Sequence, residues 1–74
     1  MKRVMFVTTT STYANKGRDV LKRNRIESEI KKVQGGTAVG CLYGIILSAE
    51  NTARAEKILN DNGVRVISIR DVTG

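Results

Sequence analysis

One feature constrains the fold more than any other: the chain repeats itself. Val20-Leu21-Lys22-Arg23-Asn24-Arg25-Ile26 runs parallel to Ile58-Leu59-Asn60-Asp61-Asn62-Gly63-Val64, and around each copy the pattern is strand, helix, strand. Val4-Met5-Phe6-Val7 is a continuous apolar run, suited to a strand flanked by neighbours. The hydroxyl-rich Thr8-Thr9-Thr10-Ser11-Thr12 that follows is suited to capping a helix start. From Thr12 to Asn24 the positions Tyr13, Ala14, Gly17, Val20 and Leu21 recur at intervals of three and four, with Lys16, Arg18, Asp19, Lys22 and Arg23 falling elsewhere. That spacing predicts an amphipathic helix, stopped by Asn24 in a left-handed conformation.

Residues 26–33 set Ile26, Ser28 and Ile30 against Glu27, Glu29 and Lys31, which predicts a strand charged enough to lie at a sheet edge. Gly44-Ile45-Ile46-Leu47 predicts a third strand, short and wholly apolar. A second helix is expected to start at Ser48, Glu50 or Asn51, with its stripe on Ala55, Ile58, Leu59 and Asn62; Glu50 in the first turn complements the helix dipole. Asn62-Gly63 ends it, residues 64–71 form the last strand, and residues 72–74 are expected to fray. Two strand-helix-strand units in 74 residues predict one α+β domain over residues 1–74, a ferredoxin-like βαββαβ sandwich. Its antiparallel sheet takes the order 4-1-3-2, and the polarity of the strands agrees, with the apolar first and third central.

Composition narrows the chemistry. A chain of 74 residues buries only about 60% of its unfolded surface, so association with another copy is an expected source of stability. There is no Pro, Trp or His. Without His the usual general base and zinc ligand are missing, and neither a Ser-His-Asp nor a Cys-His pair exists within the chain. No metal or cofactor is expected. A single Cys forms no internal disulfide, which fits a reducing cytoplasm. Met1-Lys2-Arg3 begins like a signal peptide, but the apolar run at residues 4–7 is too short for a signal or a membrane span. A cytoplasmic protein with no membrane partner is expected.

The net charge is +6, from 13 basic and 7 acidic residues. The surplus favours acidic partners and is densest at Lys16, Arg18, Lys22, Arg23, Arg25, Lys31 and Lys32. The same residues also suit a solvated face that keeps a small protein soluble. The only aromatics are Phe6, Tyr13 and Tyr43, and their spacing does not suit stacking of successive bases.

Gly35-Gly36-Thr37-Ala38-Val39-Gly40-Cys41-Leu42-Tyr43-Gly44 packs four glycines into ten residues around the only cysteine. Such freedom suggests a loop between the second and third strands that presents a sulfur; the competing reading is a flexible connection with a small buried cysteine. The predicted topology brings this loop beside residues 8–12 and the N-terminus of the first helix. Unpaired N–H groups and partial positive charge there stabilise a thiolate and attract anions, and Lys16 adds to the field. The candidate site is therefore Cys41 as the reactive group, with Thr9, Thr10, Ser11, Thr12, Gly40, Tyr43 and Gly44 as substrate-binding residues. A cysteine so placed, with no base beside it, is able to form a persulfide or a mixed disulfide.

With the fold, the length and Gly40-Cys41-Leu42-Tyr43-Gly44-Ile45 taken together, the chain resembles the Se/S carrier protein-like family of short bacterial and archaeal proteins. The likeness spans nearly the whole chain, including Asn51-Thr52-Ala53-Arg54-Ala55-Glu56-Lys57-Ile58-Leu59 followed by Gly63-Val64. The family's cysteine maps onto Cys41 and its small residues onto Gly40 and Gly44; Leu42 stands where many members have glycine. The resemblance implies a carrier of sulfur or selenium rather than a free-standing enzyme, with a donor protein and an acceptor protein as partners. Two other expectations come from the residues. One is a module that contacts nucleic acid through its basic first helix and second strand. The other is a homo-oligomer that covers its sheet with a second copy, for which Val66, Ile67 and Ile69 supply apolar side chains. In both of these Cys41 is structural.

Overall fold

The apolar run at the start of the chain becomes a strand with a partner on each side. A computed structural model describes residues 2–34 and 41–73. Its elements are β1 (Lys2–Thr8), α1 (Ser11–Arg23), β2 (Ser28–Gln34), β3 (Cys41–Ser48), a 3-10 turn (Ala49–Asn51), α2 (Thr52–Asp61) and β4 (Ser68–Thr73). The sheet order is β2-β3-β1-β4 with every neighbouring pair antiparallel. Read from the β4 edge this is 4-1-3-2, as the strand polarity predicts, and the arrangement is consistent with a ferredoxin-like sandwich. No helix among the described residues is long and apolar enough to cross a membrane.

Alternate residues of the two central strands face the helices. Val4 and Phe6 of β1 and their partners Leu47 and Ile45 of β3 join Ala14, Val20 and Leu21 of α1, Ala55 and Leu59 of α2, and Ile26 and Val64 in one buried cluster. Gly17 lets α1 approach closely, because a Cβ there would lie 2.6 Å from Ile45 Cδ1 and 3.1 Å from Leu59 Cδ2. On the opposite face Val7 and Ile46 are also buried. The Met5 side chain fills the space that a Cβ on Gly44 would need, so the middle of this face is closed from within the chain. The large exposed hydrophobics among the described residues are instead Ile67 and Ile69.

The internal repeat is visible in the hydrogen bonds that close each helix. Asn24 Nδ2 donates to Val20 O at 2.7 Å, and Asn62 Nδ2 to Ile58 O at 2.8 Å. Ile26 N–H donates to Leu21 O and Val64 N–H to Leu59 O, both at 2.9 Å. This six-to-one closure requires a left-handed residue just before the donor. Arg25 (φ 63°) and Gly63 (φ 72°) fill that place. The expectation that Asn24 is the left-handed stop is therefore corrected: its φ is −98°, and the reversal falls one residue later. An arginine bears a steric cost there that glycine does not. Arg25→Gly is expected to stabilise the domain by about 1 kcal/mol, seen as a higher urea midpoint at unchanged slope.

These closures also correct the strand limits. Ile26 and Val64 are committed to ending helices, so β2 starts at Ser28 rather than at residue 26, and β4 at Ser68 rather than at residue 64. At the other end Val72 and Thr73 pair with Arg3 and Lys2, so the fraying expected at residues 72 and 73 gives way to strand. Glu50 lies in the 3-10 turn, and α2 begins at Thr52.

Candidate functional site

The end of β1, the start of β3 and the N-terminus of α1 meet at one end of the sheet. Thr8 is the last residue of β1, pairs with Tyr43, and is fully buried. Its hydroxyl is placed to donate to two carbonyls, Tyr43 O at 3.2 Å and Thr10 O at 3.3 Å. One buried side chain thus ties the β1–α1 turn to β3. Thr10 is the N-cap of α1: its backbone is extended and its Oγ1 accepts from Tyr13 N–H at 3.1 Å, while its carbonyl accepts from Ala14 N–H at 3.1 Å. The first turn of α1 carries no acidic residue, so its partial positive charge is not neutralised from within the helix. Thr9, Ser11 and Thr12 are exposed around it.

Cys41 is the first residue of β3, paired with Gln34 and two positions from Tyr43 along the strand. The expectation of a cysteine within the loop is corrected to one at the strand's first position. The reason is pairing: Cys41, Leu42 and Tyr43 find partners in Gln34, Val33 and Lys32. Gly40 lies outside the described residues, and the exposure of the Cys41 thiol lies outside the described atoms. Tyr43 is half-buried against the core. Gly44 sits opposite Val7 and Lys31, beneath Met5.

Of the expected residues, the fold brings Thr10 and Tyr43 together through Thr8, with Thr9, Ser11 and Thr12 following along the chain. Thr8 itself was absent from the expected set. Its signal in the sequence is a hydroxyl placed directly after an apolar run. Thr8→Val, which keeps the shape and loses the donor, is expected to destabilise the protein by about 1–2 kcal/mol in urea unfolding.

Charge is concentrated elsewhere on the surface. Among the described residues the one ion pair is Arg3–Glu29 at 3.3 Å, and its exposure makes its contribution small. Lys16, Arg18, Lys22, Arg23, Arg25, Lys31 and Lys32 are all exposed. Arg18, Lys22 and Arg25 line a groove with Asp19, Glu27 and Ser28, near the C-terminal end of α1 and so at the far end of the helix from Thr10. No group of three or more His, Cys, Asp or Glu residues suited to a metal ion occurs among the described residues. Neither a family model nor a curated protein matches the chain.

Proposed function

We propose that this chain is a ferredoxin-like carrier of sulfur or selenium, working in a reducing cytoplasm, in which Cys41 holds the transferred atom. The observation that carries this reading is the register that sets the Cys41 backbone two residues from the Thr8-to-Tyr43 tie, at the sheet end where α1 starts. An uncompensated helix N-terminus favours a thiolate nearby, and Lys16 adds positive charge one turn in. The Cys41 thiolate attacks the terminal sulfur of a donor persulfide. A new S–S bond forms at Cys41, the donor's S–S bond breaks, and the donor leaves as a thiolate, so no external oxidant or reductant is consumed. Delivery is the same exchange run toward an acceptor. A relay of this kind needs no general base, which suits a chain without His. The exposed cations of α1 and β2 suit docking of acidic donor and acceptor proteins.

The test is to incubate the reduced protein with glutathione persulfide and follow its intact mass. The expected result is a gain of one sulfur atom on the native protein, reversed by dithiothreitol and absent from Cys41→Ser. Uptake by the denatured chain with none by the native one overturns the proposal.

A second reading follows from the same exposed cations: a module that binds nucleic acid along α1 and β2, with Cys41 as packing. It requires oligonucleotide binding that weakens steeply with salt and is lost when Lys22, Arg23 and Arg25 are replaced by Gln.

A further inference from the structure

The two edges of the sheet are built differently. Along β2 and the residue pair before it, Glu27, Glu29, Lys31 and Lys32 are exposed, and such charge protects an edge from pairing with another strand. The β4 edge lacks that protection at its start. From Val64 to Ile69 exposure alternates: Val64, Val66 and Ser68 are buried or half-buried, while Arg65, Ile67 and Ile69 are exposed; Arg70, opposite Met5, and Asp71 are then both exposed. Ile67 is 50% and Ile69 40% exposed, and both line an open groove with Ala53, Glu56, Lys57 and Asn60 of α2.

Arg70 apart, which lies on the other face of the sheet, the exposed residues Arg65, Ile67, Ile69 and Asp71 are, in order, cation, apolar, apolar, anion. Turned antiparallel the order becomes anion, apolar, apolar, cation, so the row is complementary to itself. We propose that the edge formed by residues 65–67 and the start of β4 is a two-fold interface between two copies of this chain, centred on Ser68. In that register Ile67 lies opposite Ile69 of the second copy, Arg65 opposite Asp71 and, on the other face, Val66 opposite Arg70, each pairing occurring twice. The neighbouring registers are worse. Centring on Arg70 or on Asp71 sets like charges opposite each other, centring on Ile69 sets Ile67 against a carboxylate, and centring on Ile67 sets Arg65 against Ile69 and leaves Asp71 opposite Gly63. Self-complementarity of charge and apolar surface together singles out a second copy over an unrelated strand. The inference stands apart from the role of Cys41.

Sedimentation equilibrium of the full chain, with reductant present to exclude disulfide dimers, tests it. The wild type is expected to dimerise with concentration. Arg65→Glu and Asp71→Arg, at exposed positions, are each expected to weaken the dimer about tenfold or more, since each converts both attractive pairs to repulsive ones. The double variant is expected to return to within about threefold of wild type, because the swap restores the pairs. Ile67→Lys, folded by circular dichroism, is expected to be monomeric. A wild type that stays monomeric at all concentrations overturns the interface. A dimer that the two reversals leave intact, or that the double variant fails to rescue, overturns this surface and register.

Discussion

Phe6→Ala is expected to leave the protein largely unfolded. Phe6 is fully buried at the middle of β1, paired with Ile45 on one side and Ile69 on the other, and it belongs to the cluster that joins both helices to the sheet. Truncating a buried phenylalanine costs about 3–5 kcal/mol through lost burial and the cavity left behind. A domain of this size has little more than that to lose, since a single small core supplies roughly 3–5 kcal/mol. Neighbours have little scope to collapse into the space, because β1 is held in register on both edges. Urea unfolding followed by circular dichroism reads the outcome. A variant that keeps a cooperative transition within about 1 kcal/mol of wild type contradicts the placement of the core under β1.

The polarity of the strands agreed with the sheet order that the strand-helix-strand repeat predicts. An apolar strand must be covered on both sides, so Val4–Val7 and Ile45–Leu47 go to the centre, and Glu27, Glu29, Lys31 and Lys32 mark an edge. The internal repeat paired the two helix ends in the sequence, and the structure adds equivalent Asn side-chain bonds at both. Residue preference misled at the turn itself. Asn tolerates the left-handed region, but the closing bonds from Ile26 and Val64 decide which residue takes it, and they assign it to Arg25 and Gly63.

The candidate site was legible only in outline. Within the run of hydroxyl residues, the position of Thr8 directly after the apolar run is the one sign that it is buried. Thr8 is chosen by register with Tyr43, across a sequence separation of 35 residues. Strand pairing also decided where the loop ends. Glycines near Cys41 suggested a cysteine inside the loop, but its partner Gln34 draws it into β3. Gly17 counted in the sequence only as one position on an apolar stripe. Its role depends on Ile45 and Leu59 arriving from two other elements.

The ionisation of Cys41 is expected to fall below the ordinary thiol value of about 8.5. Two effects oppose each other there. The positive end of α1 and the charge on Lys16 favour the thiolate, whereas burial disfavours it. The first effect is expected to win, because no acidic residue offsets the helix end in the first turn of α1. The measurement that tests this most directly is the rate of Cys41 alkylation by iodoacetamide from about pH 5 to 10, with Cys41→Ser as the blank. The expected result is reaction of the native protein with an apparent pKa below the free-thiol value. A value at or above it, or no reaction without denaturant, would make Cys41 a packing residue and remove the centre of the carrier proposal.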